Sequence, residues 1–122
     1  MSSRLSWPAG VRAVAVYHFE GCSYCTRVRA AAARLDLTRR GLALEWRDID
    51  ADDQHRRALA RARGRTTVPV LRIERDDAPD VWMPESLDIV AWLESVAEGT
   101  AVVPDAPPPT GWLGRLRRLW PL

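Results

Sequence analysis

The amino-acid sequence predicts an α/β domain with a four-stranded mixed sheet flanked by helices, followed by a C-terminal tail. In the first half of the chain, short runs rich in β-branched residues alternate with helical stretches, and this order favours parallel crossovers. The last two strand-like runs are joined by a short turn-rich stretch instead, which favours an antiparallel hairpin. The predicted element order is therefore β-α-β-α-β-β-α.

The first three elements follow from hydrophobic periodicity. Residues 12–18 (RAVAVYH) form a short apolar run near glycines, which is typical of a buried strand. Residues 24–37 carry an apolar stripe at helical spacing with arginines off the stripe, so they predict an amphipathic helix. In residues 42–49 the side chains alternate with a period of two, which predicts the second strand.

The second half supplies the remaining four elements. Residues 53–63 predict a helix, because aspartates that can cap it come directly before and a glycine follows. Residues 68–73 and 81–83 predict two strands separated by a turn-rich stretch. Residues 85–97 return to helical spacing and predict the last helix, which a glycine again ends.

The body and the tail of the chain differ in composition. We expect an N-terminal extension over residues 1–11, a folded domain over 12–100, a proline-rich linker over 101–111 and a basic amphipathic tail over 112–122. The formal net charge of +2 comes from the tail, and the neutral body argues against nucleic acid as a partner. The tail fits disorder, docking on the body, or contact with a protein partner or a membrane surface.

The two cysteines, Cys22 and Cys25, form a CxxC pair between the first strand and the first helix. Structural zinc is disfavoured because the two histidines lack the spacing of a four-ligand site, so we expect no metal. A disulfide between them closes a loop too small to stabilise the fold much. No secretory signal is visible, so we expect a cytoplasmic protein with reduced thiols, in which this pair favours thiol–disulfide exchange.

The two cysteines are expected to play different roles. Cys22 comes just before the helix, where free N–H groups and the positive end of the dipole stabilise a thiolate, so it is the predicted nucleophile. Cys25 lies one turn inside the helix and is predicted to be more buried and to attack the mixed disulfide. For His18, near the pair, a core or surface position is favoured over a proton shuttle.

Two further features have a structural and a functional interpretation. A cis bond before Pro69 would turn the backbone of Val68 toward the cysteines, where a peptide could pair with it as an added strand. The alternative is an ordinary trans proline. Glu85 and Ser86 begin the last helix as a plain cap, or as an anion site in which Ser86 and free amides hold a carboxylate while Glu85 pairs with an ammonium group.

Three motifs together resemble those of glutaredoxins and of the glutathione-binding N-terminal domains of glutathione S-transferases: GCSYC at 21–25, TVP at 67–69 and ESLDIVAWLE at 85–94. The resemblance implies a thioredoxin-like fold in which the first cysteine carries the mixed disulfide with glutathione. It also implies that the backbone before the cis-proline pairs with the cysteinyl part and that the acidic–serine pair holds the γ-glutamyl end. The implied glutathione-binding residues are Tyr24, Val68, Pro69, Glu85 and Ser86.

The chain departs from the family pattern at two positions. Phe19 stands where many glutaredoxins have a lysine, and Arg27 or Arg65 is the candidate to supply that charge. Ser23 replaces the usual proline, and in some relatives a serine here accompanies binding of a [2Fe-2S] cluster. The chain also has no room for the helical second domain of a transferase, which disfavours conjugation of xenobiotics.

The sequence therefore predicts a glutathione-dependent thiol–disulfide oxidoreductase, acting as a monomer. Its predicted partners are glutathione and glutathionylated or disulfide-bearing proteins. The alternative is an adaptor with little turnover that binds glutathione or a [2Fe-2S] cluster and is targeted by its C-terminal tail.

Overall fold

The computed structural model describes residues 4–104. The predicted tail and most of the predicted linker lie outside the described residues, so the expectations for them stay predictions. The elements in chain order are β1 (Val11–His18), α1 (Ser23–Arg34), β2 (Leu44–Asp48), α2 (Asp53–Arg63), β3 (Val70–Arg75), β4 (Val81–Met83) and α3 (Ser86–Glu98).

The strands form one mixed sheet in the order β2-β1-β3-β4. β1 runs parallel to β2, with Val16 opposite Trp46, and antiparallel to β3, with Val16 opposite Leu71. β3 and β4 are the antiparallel hairpin, with Leu71 opposite Met83. The predicted four-stranded mixed sheet is confirmed, and the arrangement is a thioredoxin-like fold.

Several predicted element ends differ from the structure by up to three residues, and two of these differences have a local reason. α1 ends at Arg34 instead of residue 37, since Asp36 adopts a left-handed conformation (φ 57°) that a helix cannot continue through. Leu37, the last residue of the predicted helix, nevertheless stays buried. β3 begins at Val70 instead of residue 68, because Pro69 has no N–H to donate to the sheet.

Alternation along β1 divides the core between the two faces of the sheet. Val14 and Val16 pack with the buried residues of α1 and α3 in the larger hydrophobic cluster. Tyr17, which points to the opposite face, packs with Leu59 of α2 in a smaller cluster. The helices α1 and α3 thus share one face, and their first residues are held close to the end of β1.

Trp92 of α3, which is 1% exposed, contacts the segments before β1 and after α3. The rings of Trp7 and Trp92 stack with centroids 6.0 Å apart, and Trp92 Nε1 donates to the carbonyl of Val102 at 2.9 Å. Within residues 4–104, no helix combines the length and the apolarity needed to cross a bilayer.

Candidate functional site

Cys22 lies where β1 gives way to α1. Gly21, with φ +85°, permits the turn, and Cys22 follows in an extended conformation as the N-cap of α1. Its Sγ accepts the backbone N–H of Cys25 at 3.3 Å and lies 4.0 Å from the carbonyl oxygen of Val68. The sulfur therefore replaces the hydroxyl or carboxylate of an ordinary helix cap, in a position where N–H groups favour negative charge.

Cys25 is the more buried of the two thiols, as predicted from its place inside the helix. It is 1% exposed, against 9% for Cys22, and both are free. Burial, followed by the hydrogen bond with the Cys22 side chain, raises the pKa of the Cys25 thiol to about 12. Arg29, one helical turn further along, acts in the opposite direction and lowers this pKa. Cys25 is thus a protonated thiol next to a more accessible sulfur.

The segment before β3 lies against the Cys22 sulfur. The Val68–Pro69 peptide bond is cis, as the functional interpretation of this motif required. The contact between Cys22 Sγ and the Val68 carbonyl places the Val68 backbone beside the predicted nucleophile. Thr67 is exposed and Val68 half-buried, so this backbone remains within reach of a ligand.

Glu85 and Ser86 begin α3 at the same site. Glu85 is the N-cap residue, but its side chain makes no capping hydrogen bond. The Glu85 carboxylate therefore does not act as the plain helix cap of the alternative interpretation. Ser86 is 6% exposed at the first helical position, where backbone N–H groups have no intrahelical partner.

A surface cleft of about 470 Å³ brings these predicted residues together. Its walls come from the start of α1, the end of α2, the segment before β3 and the start of α3. The predicted ligand residues in its lining are Tyr24, Val68, Pro69, Glu85 and Ser86. Neither cysteine is part of the lining, but Cys22 contacts Val68 and Cys25 contacts Cys22, so the structure brings all the predicted site residues together.

The cleft also contains Arg63, a residue that the sequence did not single out. Arg27 and Arg65, both considered from the sequence as sources of positive charge, line it as well. Arg63 Nε is buried without a hydrogen-bond partner among the described residues. The arginine-rich stretch that ends α2 was the available signal, but such runs usually form solvated helix faces.

His18 lies beneath the site and not in the cleft. It is 5% exposed, and its Nδ1 is 2.9 Å from Arg29 Nη2. Its ring meets Trp46 edge-on, with centroids 5.7 Å apart. Burial and then Arg29 lower the pKa of His18, so it is neutral at physiological pH and can accept a hydrogen bond from the guanidinium. This supports the core interpretation that the sequence favoured.

Comparison with known proteins adds family evidence to this geometry. The family model for the glutathione S-transferase N-terminal domain matches residues 16–101, a range that holds both cysteines and the whole cleft lining. No curated protein matches the chain. Among the described residues, no group of three or more His, Cys, Asp or Glu side chains could hold a metal ion.

Solved structures of glutathione proteins are similar to this chain. Maleylacetoacetate isomerase from Anaeromyxobacter dehalogenans, with glutathione bound in its active site, is 29% identical with a TM-score of 0.50; the match covers 88% of this chain and 46% of the isomerase. A trimeric glutathione transferase of Leishmania is 22% identical with a TM-score of 0.51, over 69% of this chain and 17% of the transferase. A glutaredoxin from Brucella melitensis is 20% identical with a TM-score of 0.44, over 79% of this chain and 100% of the glutaredoxin. The chain therefore spans less than half the length of the isomerase and of the transferase.

Proposed function

Because the chain belongs to the glutathione S-transferase N-terminal domain family, we propose that it is a glutathione-dependent thiol–disulfide oxidoreductase acting through Cys22. The observation that carries the proposal is the position of the Cys22 sulfur. It lies between the Cys25 N–H and the Val68 carbonyl, at the edge of a cleft open to a ligand. The isomerase with bound glutathione supports glutathione as that ligand.

The proposed ligand contacts use both backbone and side chains. The Val68 backbone pairs with the cysteinyl part of glutathione, which brings the ligand sulfur to Cys22. The γ-glutamyl carboxylate binds the first amides of α3 and the Ser86 hydroxyl, and its ammonium group pairs with Glu85. Tyr24 and Pro69 form the walls of the cleft around the peptide.

The first chemical step transfers glutathione to Cys22. The Cys22 thiolate attacks the glutathione sulfur of a glutathionylated protein, so a new sulfur–sulfur bond forms and the old one breaks. The electron pair of the broken bond leaves on the protein sulfur, which takes up a proton. The products are a reduced protein thiol and a Cys22–glutathione disulfide.

Two routes return Cys22 to its reduced form. In one, a second glutathione thiolate attacks the bound glutathione sulfur, which releases glutathione disulfide and the Cys22 thiolate. In the other, Cys25 loses its proton and attacks Cys22 Sγ, which expels glutathione and leaves a Cys22–Cys25 disulfide for two further glutathione molecules to reduce. The second route also allows the reduction of protein disulfides, which needs two thiols on the enzyme.

The state of Cys22 controls when Cys25 can react. The hydrogen bond with Cys22 and the negative charge on Cys22 both raise the Cys25 pKa in the reduced protein. Conversion of Cys22 to a mixed disulfide removes that charge, so the pKa of Cys25 falls when an attack is required, while burial, the largest cause of the raised pKa, still holds it above the ordinary value. Arg29 remains one turn away to stabilise the thiolate that then forms.

The test is reduction of a small glutathione mixed disulfide, coupled to glutathione reductase and NADPH. We expect the wild type and Cys25→Ser to turn over and Cys22→Ser to lose activity. Reduction of a protein disulfide should fall in both variants, because only that reaction needs Cys25. Equal loss of both activities in Cys25→Ser would contradict the assigned roles.

A folded, reduced wild type without turnover would reject the enzyme and favour the adaptor alternative. Binding of glutathione by calorimetry, and the colour of an anaerobic preparation, would then separate a glutathione-binding adaptor from a cluster-binding one. We retain a monomer in the cytoplasm as part of the proposal, because a reducing compartment keeps both thiols free.

A further inference from the structure

The rim of the cleft carries more positive than negative charge. The lining contains three arginines, Arg27 from α1, Arg63 at the end of α2 and Arg65 just after it, but a single acidic residue, Glu85. None of the three guanidinium groups forms an ion pair within residues 4–104, although many other arginines of the domain do. The positive charge at the rim is therefore available to a ligand.

Arg63 shows most clearly that a partner is missing. Its side chain is half-buried, and its Nε lies out of contact with solvent without a hydrogen-bond acceptor in the described part of the chain. An unpaired buried donor is unfavourable unless an acceptor arrives. An anionic group that enters the cleft at the end of α2 can supply it.

If glutathione binds as in the proposed function, on which this inference rests, it does not neutralise all three rim arginines. In that proposal the γ-glutamyl carboxylate and ammonium are held at the start of α3. The glycyl carboxylate remains, and it pairs with one guanidinium group. Two further guanidinium groups at the rim still lack an anion, so the complete substrate carries negative charge beyond glutathione itself.

The rim also has the composition of a protein-contact surface. Tyr24 is 59% exposed and Leu87 is 64% exposed, and both line the cleft. The Arg27 guanidinium lies 5.6 Å from the centre of the Tyr24 ring, which holds it at the surface. Tyrosine and arginine are enriched in protein interfaces, where an apolar centre is combined with charged groups that select the partner.

We propose that this basic rim, formed by Arg27, Arg63, Arg65, Tyr24 and Leu87, is a docking surface for acidic protein segments that flank a glutathionylated cysteine. The occupant is a protein because the rim is open and partly apolar. It is acidic because its carboxylates complement the two guanidinium groups that the glycyl carboxylate leaves unpaired. The rim thereby selects among glutathionylated proteins, while the cleft binds the glutathione that they share.

The first test measures binding without turnover. Cys22→Ser is titrated with three fluorescent glutathionylated peptides of one length, in which the cysteine is flanked by Asp and Glu, by Asn and Gln, or by Arg. At low salt we expect the acidic peptide to bind about 4- to 25-fold more tightly than the neutral one, from two exposed pairs that each contribute about two- to fivefold. This preference should shrink toward parity at about 0.5 M salt, where charges are screened within a few ångströms.

Arginine substitutions locate the surface. Arg63→Gln and Arg65→Gln should each reduce the preference about two- to fivefold. Because the glycyl carboxylate of glutathione pairs with one guanidinium group, at most one of the two substitutions should also weaken binding of the neutral peptide. Arg61→Gln is the matched control, since it removes the same charge from the exposed face of the same helix, outside the cleft. An equal effect of Arg61→Gln would mean that net charge and not the rim selects the peptide, which overturns the proposal.

Turnover of the small glutathione mixed disulfide by wild type separates the two proposals. Normal turnover with no preference, or with a preference for the basic peptide, overturns the docking surface and leaves the enzyme intact. Absent turnover with a rim-dependent preference in Cys22→Ser overturns the enzyme and keeps the docking surface. Loss of binding of all three peptides overturns both.

Discussion

Cys25 should react with alkylating agents far more slowly than an ordinary thiol, and with a different pH dependence. Its pKa is raised from 9.0 to about 12, chiefly by burial. At pH 7 the thiolate fraction falls from about 1% to about 0.001%, a decrease of about 1,000-fold. Since the thiolate is the nucleophile, and a more basic thiolate is intrinsically more nucleophilic, the rate of alkylation at pH 7 should fall by about 30- to 60-fold.

The measurement uses Cys22→Ser, in which Cys25 is the remaining thiol. Iodoacetamide modification is followed by mass spectrometry between pH 6 and 11 in the native protein and in the same protein unfolded in guanidinium chloride. The substitution removes the charge of Cys22 but keeps the burial, which is the largest cause of the raised pKa, so in the native protein the rate should still rise about tenfold for each pH unit beyond pH 9. In the unfolded protein it should level off near pH 9.

The shape of the pH profile distinguishes a raised pKa from poor solvent access as the cause of slow reaction. A merely inaccessible thiol with an ordinary pKa would react slowly, but its rate would still level off near pH 9. A native profile that levels off there would refute the assignment of a strongly raised pKa. The wild type adds a second check. One equivalent of reagent at pH 7 should modify Cys22 almost exclusively, and substantial modification of Cys25 would contradict the division of roles.

Three further predictions concern stability, each measured by urea unfolding. The pKa of His18 is lowered, first by burial and then by Arg29, so the unfolded state binds a proton below pH 6.5 that the folded state does not. Stability should therefore fall from pH 7 to pH 5, and His18→Gln should flatten that dependence; an unchanged slope would contradict it. Tyr17→Phe should cost about 1–3 kcal/mol, because the hydroxyl accepts hydrogen bonds from Arg47 at 2.8 Å and Arg72 at 3.0 Å. Leu59→Ala should cost about 2–5 kcal/mol, since this side chain is fully buried in the smaller cluster; a cost below 1 kcal/mol would mean that α2 is not anchored there.

The order of the elements was predictable because it depends on local pattern and on connection rules. The period of two in β2 and the helical stripe of α3 each have a clear signal, and strand–helix–strand order limits the sheet to few topologies. The helix ends were less predictable. Leu37 is buried by a turn and not by a helix, yet an apolar residue at that spacing looks the same in the sequence under either arrangement.

The site was predictable where chemistry fixes the residue type. Few structural or chemical uses exist for two thiols separated by two residues, for a proline before a strand or for a serine at a helix start. Cys22, Pro69 and Ser86 could therefore be identified as candidates in advance. Arg63 has no such signature. Its proposed role arises because the end of α2 and the start of α1 line the same cleft, and no local pattern encodes that tertiary arrangement.

The proposed chemistry and the proposed partner selection depend on different parts of the site. The proposed chemistry uses backbone groups to a large extent: the Cys25 N–H, the Val68 carbonyl and the first amides of α3, all of which the fold itself holds in place. Substitution of a rim arginine leaves those groups where they are, whereas a change in the backbone alters every substrate equally. Partner selection can therefore change through Arg63 or Arg65 without any change in the exchange reaction. A rim variant that loses its preference for acidic peptides while it retains turnover of a small disulfide would show this separation directly.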